Sequence, residues 1–137
     1  MPYVYETRIQ FGHVDAAGVM YFSRFFELAH ETYESLMRKA GIPLEKIFSE
    51  GEWGMPLVHS EADYRRPWRL GEAVRVEAEI DDLTAGSVSF RYRMVDADGV
   101  VRTKVQLRHA FVELTEFKAR SVPAAFTDAM RDLGLID

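Results

Sequence analysis

The sequence predicts an α+β fold in which an antiparallel sheet wraps around one long helix. Three observations lead to this class. A single long helical pattern stands near the start of the chain, alternating strand patterns follow it, and the apolar face of the helix has only the sheet to lie against. Because no repeat, low-complexity segment or linker interrupts the pattern, residues 1–137 are expected to form one domain.

The first predicted elements are a strand, a loop and the long helix. Residues 3–11 are rich in aromatic and β-branched side chains, which are typical of a strand, and residues 12–18 predict a loop. Over residues 22–40 the apolar side chains recur at steps of three and four, so this helix has one buried face, and residues 41–43 (Gly-Ile-Pro) end it. The buried face is expected to hold Phe22, Phe25, Phe26, Ala29, Tyr33, Leu36, Met37 and Ala40.

Strand patterns dominate the rest of the chain. After a short helical turn at residues 44–50, apolar and charged side chains alternate as they do in half-buried antiparallel strands. A hairpin turn is predicted at residues 96–99, because Gly99 accepts a positive φ. The last strand is expected to run unbroken over residues 100–114, and residues 123–133 predict a C-terminal helix. The other strands are predicted at residues 57–66, 74–81 and 88–94.

Composition narrows the classes of function. Lys and Arg number 17 and Asp and Glu number 22, so the net charge is −5, and no nucleic-acid partner is expected of such an acidic chain. The absence of cysteine excludes disulfides, thiolate metal sites and cysteine nucleophiles. No signal-peptide pattern and no apolar run near the ~18 residues of a membrane span are present, so a cytoplasmic protein without a membrane partner is expected.

The stretch FGHVDAAGVMYFSRFF, residues 11–26, joins the first strand to the helix. It places one acid, Asp15, among small and apolar residues just before the helix. Apolar neighbours can remove water from a carboxylate, and a helix N-terminus can bind developing negative charge, so this position suits chemistry. The simpler alternative is that Asp15 caps the helix or bonds its own loop, and the residues alone favour that alternative.

This loop, in this order of elements, resembles that of the hotdog-fold acyl-CoA thioesterases of the 4-hydroxybenzoyl-CoA thioesterase type. The matching residues are GHVDAAGVMYF, residues 12–22, and the resemblance covers nearly the whole chain. The segments HETYES, residues 30–35, and GMPLVH, residues 54–59, are similar to the branch that acts on 1,4-dihydroxy-2-naphthoyl-CoA. The resemblance implies a five-stranded antiparallel sheet around a long central helix.

The resemblance also implies roles for individual residues. Asp15 matches the family's catalytic carboxylate, which either attacks the thioester carbonyl or activates the attacking water, and both routes stay open. The backbone amide of Phe22 matches the donor that binds the thioester oxygen, and Gly18 lets the backbone come close. His13 stands where the family has another acid, so it is either a pH-sensitive neighbour of Asp15 or a plain loop histidine.

Several further residues are candidates for substrate binding. His30 and His59 each either line a pocket or bond the backbone, and no histidine pair has metal-ligand spacing, so no metal is expected. The basic residues suit the phosphates of CoA, although charges on strands equally suit the solvent face. Trp53, Met55, Pro56 and Trp68 could shape an acyl pocket. The substrate-binding candidates are His13, Tyr21, His59, Arg91 and Arg102, and Arg65, Arg66, Arg93 and Lys104 are further basic candidates.

The expected activity is hydrolysis of an acyl-CoA thioester with an aromatic acyl group, such as hydroxybenzoyl or dihydroxynaphthoyl. No cofactor is expected, because a thioester is already activated. One helix leaves the edges of the sheet uncovered, so a homo-oligomer is expected, either a dimer or a tetramer. Two alternatives are a thioesterase for fatty acyl-CoA or acyl-carrier-protein substrates and a hotdog protein that binds acyl thioesters without hydrolysing them.

Overall fold

The structure is a computed structural model that describes all 137 residues. Its strands are β1 (Tyr3–Arg8), β2 (Trp53–Gly54), β3 (Leu57–Tyr64), β4 (Ala73–Leu83), β5 (Ser87–Val95), β6 (Val101–Ala110), β7 (Val112–Glu113) and β8 (Lys118–Ala119). Its helices are α1 (Arg24–Lys39), α2 (Leu44–Glu50) and α3 (Ala124–Asp132). None of the three is long and apolar enough to cross a lipid bilayer.

Five strands form one antiparallel sheet in the order β1-β4-β5-β6-β3. The sheet holds α1 against one face, which confirms the predicted α+β architecture. Alternating side chains of neighbouring strands pair on that face, for example Ala78 with Tyr92 and Phe90 with Leu107. These side chains are fully buried, since the period of two in a strand sends every second residue toward the helix.

The core lies between this face of the sheet and the helices. One cluster of 24 buried residues draws on α1, α2, α3 and four strands of the main sheet or their flanking turns. The helix contributes most of its buried side chains at steps of three and four, as predicted. They are Phe25, Leu28, Ala29, Thr32, Tyr33, Leu36 and Met37.

Both ends of the predicted strand–loop–helix segment are corrected. β1 ends at Arg8, and a short 3-10 turn at Phe11–His13 replaces the predicted end of the strand. α1 begins at Arg24, and the Phe22 side chain is 56% exposed, so Phe22 does not belong to the buried face. Ser23 takes the N-cap position but makes no side-chain capping bond.

The single long final strand was also a wrong expectation. Phe111 interrupts it, because its amide donates to the Gly86 carbonyl (2.9 Å) and its carbonyl accepts from the Arg120 amide (3.0 Å). Phe111 and Val112 are both buried, which breaks the alternation of the strand. The chain then enters a second small sheet of order β2-β7-β8.

The outer face of the main sheet and its β3 edge differ in the side chains that they expose. Its outer face carries ion pairs of strand arginines and acids, such as Arg91 with Glu79 and Arg93 with Glu77. β3, by contrast, is an edge strand in which every residue except Ala62 is exposed. Leu57 and Val58 are 42% and 57% exposed, so two large apolar side chains are open at this edge.

Candidate active site

The predicted catalytic loop is a tight hairpin, which we call the Asp15 hairpin, residues 13–21. The Tyr21 amide donates to the His13 carbonyl (3.0 Å), and Val14 and Met20 form an antiparallel bridge. At the tip, the Asp15 amide donates to the Val19 carbonyl (3.0 Å). A further bridge between Val19 and Arg69 ties the hairpin to the segment before β4. These backbone bonds hold the hairpin in one conformation directly before α1.

Asp15 lies at the tip of this hairpin. One carboxylate oxygen accepts a hydrogen bond from the Ala17 amide (2.8 Å), the Asx turn that an aspartate of this spacing favours. The side chain is exposed in the single chain, so its own apolar neighbours do not remove water from it as the sequence suggested. The other carboxylate oxygen makes no hydrogen bond and is open to a substrate.

Gly18 closes the hairpin tip with a positive φ of 79°, and its amide donates to the Asp15 carbonyl (2.9 Å). A side chain at this position would meet no atom within 4 Å. Within the chain the glycine is therefore required for its backbone conformation, not for a close approach.

Phe22 follows the hairpin and precedes α1. Its backbone amide donates to no group of the chain, so it is a free donor at the N-terminal end of the helix. The Tyr64 hydroxyl donates to the Phe22 carbonyl (3.3 Å), and this bond holds the peptide group that follows Phe22 in place. A cavity of about 350 Å³, which we call the Phe22 cavity, opens beside it and is lined by Met20, Phe22, Phe25, Tyr64, Arg65, Arg66 and Pro67.

His13 and Tyr21 stand at the base of the hairpin. The His13 ring is buried, and its Nδ1 accepts a hydrogen bond from the Gln10 amide (2.9 Å) across the 3-10 turn. The Tyr21 ring is 49% exposed and packs against the Phe22 ring with centroids 4.8 Å apart. The hairpin and the residue that follows it thus bring together five of the predicted site residues: His13, Asp15, Gly18, Tyr21 and Phe22.

The other predicted binding residues lie elsewhere. His59 is exposed on β3, on the strand face that Glu61 shares, with its Nε2 3.6 Å from the Glu61 carboxylate. Arg91 is on the outer face of the sheet, where it binds Glu79 (3.0 Å) and Asp81 (2.9 Å). Within one chain these two side chains face away from the side that holds α1 and the Asp15 hairpin.

Arg102 is held within the protein. It donates to the Glu72 carboxylate (2.7 Å) and the Asp96 carboxylate (2.8 Å), and its guanidinium lies 4.5 Å from the centroid of the Trp68 ring. Hydrogen bonds from Arg102 lower the pKa of both carboxyl groups. These contacts give Arg102 a structural role, because the two carboxylates already compensate the charge that a phosphate would need.

A second cavity of about 330 Å³ lies where α1, α2, β3 and β6 meet, and we call it the histidine cavity. Most of its lining is apolar or aromatic, and it contains two histidines that are far apart in the sequence. The His30 and His109 ring centroids are 6.5 Å apart, and Tyr33 stacks on His109 at 5.0 Å. The lining residues are His30, Tyr33, Glu34, Leu44, Ile47, Phe48, Gly54, Met55, Leu57 and His109.

His109 is the buried member of this pair. Its Nδ1 lies 2.9 Å from the Met55 carbonyl, and its Nε2 has no hydrogen-bond partner. A carbonyl only accepts, so Nδ1 carries the proton and Nε2 of the neutral ring is an acceptor. Burial lowers the pKa of His109, and of the more exposed His30, which favours neutral rings at pH 7.

Sequence reasoning named His30 and Met55 as possible pocket residues but assigned no role to His109. His109 stands at an inward position of an alternating strand, where any core residue could stand. The sequence alone therefore gives no sign that the fold places it beside α1. A depression of about 630 Å³ across β1, β4 and β5 contains none of the predicted site residues. No group of three or more His, Asp or Glu side chains that could hold a metal ion is present.

Comparison with known proteins agrees with this geometry. A sequence model described as the thioesterase-like superfamily matches residues 9–130. The 1,4-dihydroxy-2-naphthoyl-CoA hydrolase of Synechocystis is 30% identical over 132 residues, which is 96% of each chain. The hydrolase of the same name from Synechococcus elongatus is 40% identical over 95 residues, covering 67% of this chain and 68% of that one.

Solved structures place the fold among the same proteins. A 1,4-dihydroxy-2-naphthoyl-CoA thioesterase from Synechocystis superposes with a TM-score of 0.90 and 29% identity, over 98% of each chain. The match therefore includes the main sheet, α1 and the Asp15 hairpin.

Proposed function

This chain belongs to the thioesterase-like superfamily, has the hotdog fold and is a thioester hydrolase, and we propose that it hydrolyses an aromatic acyl-CoA to the free acid and CoA. The observation that carries the proposal is the pairing of an open Asp15 carboxylate with the free Phe22 amide on one backbone-held segment. The relatives named for an aromatic acyl-CoA support the acyl class.

The proposed reaction divides the work between these two groups. Asp15 either attacks the thioester carbonyl carbon, forming an anhydride that water then opens, or removes a proton from the attacking water. In both routes the Phe22 amide donates to the carbonyl oxygen as it becomes negative, and such a donor contributes about 3–4 kcal/mol. The C–S bond breaks, the electron pair leaves with sulfur, and the released CoA thiolate takes a proton to become the thiol.

Substitution of Asp15 by Asn tests the proposal. Asparagine keeps an oxygen that can accept from the Ala17 amide, so the hairpin should fold, while neither nucleophile nor base remains. We expect CoA release to fall by roughly 1,000-fold or more, with an unchanged melting temperature. Asp98→Asn, on the exposed 96–99 turn, is the matched control and should keep full activity. Near-normal hydrolysis by Asp15→Asn would reject the assignment.

A substrate panel separates the remaining alternatives. We expect hydroxybenzoyl-CoA and 1,4-dihydroxy-2-naphthoyl-CoA to be hydrolysed faster than straight-chain acyl-CoA. Faster hydrolysis of medium-chain substrates would favour the fatty acyl alternative. Binding of acyl-CoA without CoA release would favour a non-catalytic protein.

We further propose that the working form is a homo-oligomer, at least a dimer, whose second copy pairs along β3. The exposed β3 edge, its apolar side chains and the exposed Asp15 support a partner at this side. Val58→Lys should dissociate the assembly in size-exclusion chromatography with light scattering and reduce activity, whereas Phe117→Lys, a change at an equally exposed side chain, should leave the assembly unchanged. An unchanged mass for Val58→Lys would contradict this interface. Location in the cytoplasm stays a prediction, which cell fractionation tests.

A further inference from the structure

The histidine cavity contains a hydrogen-bonding atom that the protein itself leaves without a partner. His109 is 3% exposed, yet its Nε2 is bonded to nothing in the chain. A buried acceptor without a partner lowers the stability of the folded protein. A ligand that donates a hydrogen bond to this atom would remove that cost. The Phe90 ring meets His109 edge-on and Tyr33 covers its face, so the imidazole cannot rotate freely to find another partner.

The chemistry of the cavity defines what it can bind. The Met55 carbonyl holds the proton on Nδ1, so Nε2 accepts and does not donate. Apart from the two histidines and Glu34, the lining consists of aliphatic, aromatic and thioether side chains and Gly54. His109 belongs to this lining, and its Nε2 is covered within the chain, so a ligand reaches it only where a neighbouring side chain gives way. An acceptor in such a wall selects a flat apolar group that carries a hydroxyl.

The histidine cavity and the Phe22 amide lie along the same side of α1. Phe26, His30 and Glu34 are spaced four apart on α1 and so form one line along the helix, and Phe22 precedes this line in the turn before α1. β3 runs beside this line in the opposite direction, from Leu57 in the histidine cavity to Tyr64, which bonds the Phe22 carbonyl.

The span between the two ends suits an acyl group. Phe22 lies in the turn before α1, and from Arg24 to His30 the helix rises about 9 Å, while helical side chains lean toward the N-terminus and shorten that distance. A thioester carbonyl at the Phe22 amide would therefore direct its ring toward the histidines.

We infer that His109 is a specificity-determining residue, whose Nε2 accepts a hydrogen bond from a hydroxyl on the aromatic ring of the acyl group. This inference rests on the proposed function, since it concerns the same substrate. It adds to that function a ring hydroxyl as the recognised group and a residue of β6 as the group that recognises it.

The test compares each hydroxylated substrate with its parent ring. kcat/KM is measured for 2-, 3- and 4-hydroxybenzoyl-CoA against benzoyl-CoA, and for 1,4-dihydroxy-2-naphthoyl-CoA against 2-naphthoyl-CoA. The best hydroxylated substrate should exceed its parent by roughly tenfold or more in the native enzyme. In His109→Asn this ratio should fall to about one, because the Asn amide can replace Nδ1 toward Met55 but has no group at the position of Nε2.

Two more variants separate recognition from folding. His109→Gln places an amide oxygen near the position of Nε2 and should restore part of the ratio. Tyr92→Phe removes the hydroxyl of the other buried group without a partner and should leave the ratio unchanged. A ratio that His109→Asn does not alter, with benzoyl-CoA still hydrolysed, would overturn this inference and leave the proposed function intact.

Nitrogen NMR of the imidazole gives a second test that does not depend on the variants. In the native protein His109 should carry its proton on Nδ1, and the Nε2 resonance should shift when 1,4-dihydroxy-2-naphthoic acid is added but not when 2-naphthoic acid is added. A proton on Nε2, or equal shifts with both acids, would overturn the inference.

Discussion

The Asp15 hairpin and the histidine cavity hold their polar groups in opposite ways. Asp15 is exposed, and backbone hydrogen bonds within one short segment position it. His109 is buried, and side chains from separate elements position it. The proposed reacting group is therefore positioned by its own segment and stays open to a substrate or a partner, whereas the core positions the proposed recognising group. We expect changes to the hairpin to affect rate and changes to the buried side chains around the cavity to affect stability.

The strongest test of this division removes a buried side chain that packs behind the lining of the histidine cavity. Phe90 is fully buried and contacts Tyr33, His109 and Phe126. Phe90→Ala should lower the free energy of unfolding by about 3–5 kcal/mol, because the lost contacts leave a void. Urea unfolding measures this loss. Phe48→Ala, at a cavity residue that is 71% exposed, should change stability very little, and equal losses would contradict the division.

A substitution at the tip of the hairpin should reduce activity beyond what its cost in stability explains. Gly18 and Gly99 have φ values of 79° and 81°, and neither would place a side chain within 4 Å of another atom. Alanine at either position should cost about 1–2 kcal/mol of stability, since both must keep a left-handed backbone. Only Gly18→Ala should also reduce kcat/KM, by roughly 100-fold, because it shifts Asp15. Equal activity of the two variants would show that the hairpin tip does not position the reacting group.

The smallest predicted effect is the pH dependence of stability that the two cavity histidines cause. Burial lowers the pKa of His30 and His109 from the ordinary 6.5, so below that pH the unfolded chain binds protons that the folded chain does not. The free energy of unfolding should therefore decrease as the pH falls from about 7.5 to about 5.5, and less so in His109→Asn. The Arg102 cluster acts in a separate range, because the pKa of Glu72 and Asp96 is lowered from 4.5 and 3.8. An identical pH slope in His109→Asn would contradict a neutral His109.

Much of the fold could be predicted because its signals are local. The period of α1, the alternation of β4 and β5 and the turn at Gly99 are properties of neighbouring residues. The break at Phe111 could not be predicted, since it depends on hydrogen bonds to Gly86 and Arg120 from other parts of the chain. The start of α1 was misplaced because Phe22 is apolar but lies outside the core.

Site residues could likewise be predicted only where the sequence carries a local signal for them. Asp15, Gly18 and Phe22 form one continuous motif, so a pattern of residues could identify them. Arg91 and Arg102 were chosen for charge alone, and the structure shows carboxylates bound to both. His109 had no local signal, because its significance arises from the unbonded Nε2 and from a neighbour on α1.

Met55 contacts the two rings of the histidine cavity through different atoms. Its carbonyl binds Nδ1 of His109, while its sulfur accepts a hydrogen bond from the Tyr33 hydroxyl (3.1 Å). The neighbouring Pro56 carbonyl is itself fixed by the Ala110 amide (3.0 Å), so the backbone here does not rely on the Met55 side chain. A different side chain at this position can therefore reshape the cavity while the His109 tautomer stays the same. Position 55 is where a designer could change which ring fits without changing which group on that ring is recognised.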